Sequence, residues 1–296
     1  MAQILRTSGH RVGQADLANV ADFQTELLAV EAAIPSVQNA NAASWASAVY
    51  GSSLRDWYTT TDAATITSSS NAVSAWADKG AAARNLTQAT AGNQPTLVAS
   101  AFPTGRSGIR FASSASKYLS HNNTNFQTDF GVLQPCTFIS VMNIDSVGAT
   151  AQALWDLCNP ASNSTSDRYS QMTINWAGTC VRRGNGVNVN FPAAPVANTR
   201  LVMLIRHDGT NMTVDAKYQL GTAGLVTTWS SGPTLADSQI AGISRLTLGA
   251  RVKDGEAAPS LYGDTTFGEF VTASRFTTAT EAGVLLNRLW ANWFNT

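Results

Sequence analysis

Charge is scarce in this chain of 296 residues: Asp, Glu, Lys and Arg make up 13% of it, and 19 acidic side chains cancel 19 basic ones. Soluble domains carry about 25%. A neutral chain with no Lys/Arg block has no electrostatic footprint for nucleic acid or for an anionic membrane. Cysteine is scarce too. Cys136, Cys158 and Cys180 are an odd number at wide spacing with no C-x-x-C pair. That excludes a disulfide framework and a zinc ligand set, and predicts small buried apolar side chains. Long apolar runs are missing: none approaches the ~18 residues of a membrane helix. The opening residues Met1 to Arg11 lack the apolar core of a secretory signal. These absences together predict synthesis in a reducing cytosol.

What is present is a normal apolar content of 44%, enough for one large all-β core, with a polar surface built from Ser, Thr, Asn, Gln and Gly. Residues 1–53 read as an arm. From Asp16 to Ile34 the apolar residues Val20, Phe23, Leu27, Val30 and Ile34 fall at 3-4-3-4 spacing, and Pro35 stops the helix. That heptad-like seam predicts a homo-oligomer, a trimer, or docking on a partner. Residues 36–53 read as an extended connector anchored by Trp45, Val49 and Tyr50. Residues 54–296 read as a β domain of short apolar runs between Gly, Asn, Asp, Ser and Pro. TFISVMNI (137–144) and LVMLI (201–205) are continuously apolar, whereas Val214, Ala216 and Tyr218 alternate with polar neighbours. That mixture predicts a sandwich in which some strands are covered on both faces. His207-Asp208-Gly209-Thr210-Asn211 carries a hairpin signal. Thr278 and Glu281 predict a capping box, followed by a short helix with Leu285, Leu289 and Trp293 on one face.

Two stretches carry a resemblance. Trp57, Tyr58, Asp62, Thr65, Ile66, Trp76, Asp78, Lys79, Arg84, Asn85, Thr87, Gln88, Asn93, Gln94, Pro95, Thr96, Arg110, Phe111, Tyr118 and Leu119 match an opening pattern. It resembles that of the laminin-G-like, concanavalin A-like domains of phage virion and bacterial surface proteins. The C-terminal stretch from Leu261 to Phe294 is similar to the family's closing Gly-Asp, Glu-bearing strand and Trp-bearing helix. The resemblance implies a mainly β fold: a two-sheet antiparallel jelly roll with an N-terminal helix-plus-extended arm and a short C-terminal helix. The chain departs from the pattern at Thr59, at Gly80-Ala81-Ala82-Ala83, and at Ala112 to Ser116, where acidic residues are replaced. No calcium requirement, metal or other cofactor is therefore expected.

Catalytic sets are not apparent. The glutamates are Glu26, Glu31, Glu256, Glu269 and Glu281, and none shows the paired spacing of sandwich glucanases. Glu269 reads as an edge or solvent-facing residue, Trp57, Trp76 and Trp293 as core, and Asp56, Asp62 and Asp78 as turn caps. His10, His121 and His207 are scattered, and no G-x-S-x-G elbow occurs. A weak glycan site is predicted from Asp167, Tyr169, Trp176, Arg182 and Arg183, a dense mixture of aromatic and charged residues. The expectation is a non-enzymatic bacteriophage structural protein, a capsid decoration or head or tail fibre, located in the virion among other virion proteins. Two alternatives stand beside it: a glycan-binding receptor-recognition adhesin contacting a host surface sugar, and a glycanase with an unrecognised site.

Overall fold

The computed structural model describes residues 44–131, 134–161, 170–174, 180–183, 188–235, 242–252 and 259–295. In chain order these give α1 (Trp45–Tyr50), β1 (Leu54–Thr59), β2 (Ile66–Ser69), β3 (Ala72–Trp76), β4 (Leu86–Thr87), β5 (Thr96–Val98), β6 (Gly108–Phe111) and β7 (Leu119–Asn122). There follow α2 (Asn125–Phe130), β8 (Cys136–Ile144), β9 (Gln152–Cys158), β10 (Ser170–Ile174), β11 (Cys180–Arg183) and β12 (Asn188–Asn190). The chain continues through β13 (Thr199–His207), β14 (Asn211–Gln219), β15 (Val226–Ser230), β16 (Thr234–Leu235), β17 (Arg245–Leu248), β18 (Thr265–Ala273) and α3 (Ala279–Phe294).

Among the described residues the pairings between strands are antiparallel, and one isolated parallel bridge joins Ala153 to Tyr262. One half of the network runs β1-β18-β8-β13-β14-β15, with β6 extending the β1 edge of β18 and β16 beside β15. The other runs β3-β4-β7-β17-β9-β10-β11-β12, with β2 on β3 and with β5 linking β3 to β6. Between the halves lies the main core, where Phe138, Met142, Met203, Ile205, Val214 and Phe270 meet Trp155, Leu157, Met172, Leu246 and Leu248. The opposite face of the first half is equally apolar: Ile139, Val141, Val202, Leu204 and Val271 pack under α1 and α3.

The continuous apolar runs are thereby explained. β8 and β13 sit between a partner sheet and a helical layer, so neither face is left for polar side chains. α3 has the expected box, with Thr278 accepting from Glu281 N and Glu281 from Thr278 N, and it buries Leu285, Leu289 and Trp293. The β13–β14 hairpin also matches expectation: Asp208 accepts from Thr210 N at 2.8 Å and Asn211 N at 2.6 Å. Cys136 and Cys158 are buried, and the Cys158 thiol donates to the Val252 carbonyl at 2.6 Å.

One expectation is corrected. The connector is helical over Trp45–Tyr50, where docking of Trp45, Ala46 and Tyr50 onto the sheet supplies what six residues of weak propensity lack. This stretch packs on the β domain. The predicted oligomer seam, Val20, Phe23, Leu27, Val30 and Ile34, lies outside the described residues. Among the described residues no helix is long and apolar enough to cross a membrane.

Candidate functional site

A cleft of about 460 Å³ opens at one end of the sandwich, lined by Arg55, Ala81, Ala82, Arg84, Asn123, Asn125, Thr128 and Asp129. Volumes of about 300–1,000 Å³ are typical of small-molecule sites. Three pieces of chain meet there. β1 supplies Arg55 from the sheet edge, the turn after β3 supplies Arg84, and the β7–α2 connection with α2 supplies the asparagines, Thr128 and Asp129. Asp78 holds the turn in shape: its carboxylate accepts from Trp57 N at 2.7 Å, Gly80 N at 2.7 Å and Arg84 N at 2.8 Å. Gly80 is required at that point because an added Cβ would lie 2.1 Å from the Arg55 carbonyl oxygen.

The floor is a chain of alternating charges. Arg84, 1% exposed, pairs through Nε with buried Asp56 at 2.9 Å and through Nη2 with Asp129; Arg55 Nε pairs with the other oxygen of Asp129 at 3.0 Å. Thr272 donates a further hydrogen bond to Asp56, and Tyr58 donates its hydroxyl to the Arg84 carbonyl. The Arg84 guanidinium also lies 4.2 Å from the Phe126 ring centroid. Burial pushes the Asp56 carboxyl up, and the Arg84 charge opposes the shift. Arg84 Nη1 is buried without a hydrogen-bond partner, and the residue contributes to the lining of the cleft. Buried polar groups are normally satisfied, so this donor is an exception within the ion chain. The walls add amides, a hydroxyl and a carboxylate. Such a set suits many hydroxyl groups at once.

The predicted site residues fall elsewhere. Asp167, Tyr169 and Trp176 lie outside the described residues. Arg182 and Arg183 stand on β11, with the backbone of Arg182 opposite Gln171 on β10, far along the other half of the network from β1. Asp62 and Asp78 are turn caps as expected, but Asp56 is not: it is the buried partner of Arg84. Trp57, Trp76 and Trp293 are core residues, as expected. Glu269 is neither an edge nor a solvent-facing residue. It is 2% exposed beneath the helices and accepts indole N–H bonds from Trp45 at 2.9 Å, Trp57 at 2.8 Å and Trp293 at 3.0 Å. Its two oxygens are engaged by these indoles and by Thr59, so its place is structural rather than at the surface. Among the described residues no group of three or more His, Cys, Asp or Glu side chains is arranged to hold a metal ion.

The architecture defines a mainly antiparallel β protein with two packed sheet halves and a helical outer layer. No family model and no characterised sequence matches the chain. Among solved structures it is similar to Trypanosoma rangeli sialidase in complex with sialic acid, with a TM-score of 0.52 and 13% identity over 92% of this chain and 39% of that one. NanB sialidase from Streptococcus pneumoniae gives a TM-score of 0.39 and 16% identity, over 56% of this chain and 26% of that one. An arabinofuranosidase complexed with arabinofuranosyl-alpha-1,2-xylobiose gives 0.48 and 12%, over 74% and 51%. The chain thus spans well under two thirds of these proteins, and at such identities the likeness is one of fold. It nonetheless overturns the expected non-enzymatic virion protein: the fold is found in sialidases, so it gives no ground for assigning a virion role or for excluding an enzyme.

Proposed function

We propose that the chain is a glycan-binding domain, that its sandwich is a jelly roll of the concanavalin A-like kind, and that the Arg55–Arg84–Asp129 cleft is its sugar site. The observation that carries this is the convergence of Arg55, Arg84, Asn123, Asn125, Thr128 and Asp129 on one cleft of about 460 Å³. The ion chain holds both guanidinium groups in place before a ligand arrives, so binding would lose little side-chain entropy. Guanidinium, amide, hydroxyl and carboxylate groups within one cleft match the alternating donors and acceptors of a pyranose ring. The occurrence of the fold in a sialidase solved with sialic acid supports a sugar over other polyols.

The test is a glycan array of neutral and acidic oligosaccharides probed with the full chain, followed by calorimetric titration of the best class. Binding is expected, with Arg55→Ala weakening it by about tenfold or more, equivalent to about 1.4 kcal/mol. Release of reducing ends from the bound glycan is followed in parallel. Release abolished by Asp129→Asn would place hydrolysis at this cleft. A flat array, or binding indifferent to Arg55→Ala and Asn123→Ala, overturns the assignment.

A further inference from the structure

The described large apolar side chains that stand strongly exposed are Val196 at 47%, Leu225 at 88% and Val226 at 47%. They gather in one place. Leu225 and Val226 lead from the β14–β15 turn into β15, and a Cβ added to Gly221 in that turn would lie 3.7 Å from Val196. β15 itself, Val226-Thr227-Thr228-Trp229-Ser230, is exposed at every residue except Trp229, whose ring packs on Phe191 at 5.1 Å between centroids. It pairs with β14 on one side, and no described strand pairs with its other side. Soluble proteins blunt such edges with lysine, proline, a bulge or a covering loop. β15 has no charge and no proline, and its register with β14 is regular throughout.

The free edge has a definite hydrogen-bond pattern. Ser231 N donates to Val214 O at 2.9 Å, and Val214 lies opposite Ser231 in the register that continues from Asp215–Ser230. In an antiparallel ladder hydrogen-bonded and non-hydrogen-bonded pairs alternate. Thr227 and Trp229 therefore spend their backbone groups on β14, and Val226, Thr228 and Ser230 direct N–H and C=O outward.

We propose that this edge joins a second copy of the chain in a two-fold antiparallel pairing centred on Thr228. About the two-fold, Thr228 faces Thr228 of the second copy and Val226 faces its Ser230, so that about six backbone N–H···O bonds close the edge. Self-pairing meets no electrostatic obstacle, and the strand offers no charge that would select a charged foreign strand. An isologous contact sets each residue against its own kind or near it, and a strand with no charged side chain, in a chain with 19 acidic and 19 basic residues, meets no like-charge repulsion. Threonine opposite threonine is itself a favourable cross-strand pair. Leu225 and Val226 are drawn to the rim of the joint, which accounts for their exposure in the single chain.

Sedimentation of the full chain tests this. Thr228→Pro removes only an outward N–H, so the strand can keep its place at the edge. The expected result is an unchanged melting temperature and a mass that falls to half the wild-type value, the wild type being an even multiple of 31.2 kDa. Thr228→Lys and Thr228→Asp chains are each expected to lose the same contact, by setting like charges across the two-fold, and to regain it when mixed. A wild-type chain that is monomeric at all concentrations overturns the proposal. So does a Thr228→Pro chain of unchanged mass, the result if assembly runs through residues 16–34 alone, or a lysine–aspartate mixture that fails to reassociate. None of these outcomes depends on the sugar site.

Discussion

Glu269 shows how far one residue's role depends on what lies above it. Burial pushes its carboxyl up, and the indole N–H groups of Trp45, Trp57 and Trp293 oppose the shift. Two of these donors meet at Oε1 and the third at Oε2. Glu269→Gln replaces one oxygen with a donor, so an indole N–H is left facing an amide N–H. The expected loss is about 1–3 kcal/mol. Trp293→Phe should make the same substitution cheaper, a coupling that a double-mutant cycle of denaturant midpoints measures. Asp156 gives a test in pH. It is fully buried on β9, and burial pushes its carboxyl from 3.8 up to about 7, against hydrogen bonds from Val252 N and Cys158 and the charges of Arg251 and Arg245. A raised folded pKa means that the neutral form suits the fold, so its stabilisation is present below 3.8 and is lost as pH rises through about 7. Asp156→Asn keeps an acceptor for Val252 and cannot ionise. Its melting temperature relative to wild type should be higher at about pH 8.5 than at about pH 4; the reverse order contradicts the cause given. Neither environment was legible in the sequence. Alternation along a strand places a residue on a face but does not say what covers that face. Nor does it show that Asp56, Arg84 and Asp129, from separate segments, meet in one ion chain.

Among the elements, α3 was the most legible, because its apolar period and its Thr278–Glu281 box are local signals. The Glu281 carboxyl is held below its ordinary value: burial raises it, but hydrogen bonds from Arg275 and from Thr278 together outweigh burial. A depressed folded pKa contributes stability above the ordinary value of 4.5 and loses it as pH falls through the folded pKa. Thr278→Ala should therefore cost about 1 kcal/mol at neutral pH and less in acid, read from thermal melts at both. β8 and β13 were legible as strands covered on both faces because their apolar runs are unbroken. α1 was not, since a six-residue helix rich in Ala and Ser is fixed by docking of Trp45 and Tyr50 rather than by its own pattern. Gly268 falls in the same class. It sits at the register shift between Phe267 and Glu269 on β18, where an added Cβ would lie 2.5 Å from the Trp293 ring. Gly268→Ala is expected to destabilise by forcing α3 outward, by about 1–3 kcal/mol for such overpacking, measured as a shift in the denaturant midpoint.

At the scale of the whole molecule, low charge and a deep apolar content produce a three-layer arrangement: sheet against sheet between which the main core lies, and helices over the outer face of one sheet. The scarce charges are not spread evenly. Arg55, Asp56, Arg84 and Asp129 are gathered into one linked chain beneath one cleft. That concentration is why the cleft is proposed as the place to look for a ligand. The all-β architecture followed from the spacing of apolar runs and turn residues. The site did not, because it is made by three distant segments whose individual sequences carry no ligand pattern. The most direct measurement is titration of the full chain and of Arg55→Ala with the oligosaccharide class selected on an array. Saturable binding to the wild-type chain, with at least a tenfold weaker Kd for Arg55→Ala at an unchanged melting temperature, is the result expected of a sugar site at this cleft. Equal affinity of the two chains for every oligosaccharide, or no binding by either, would contradict it.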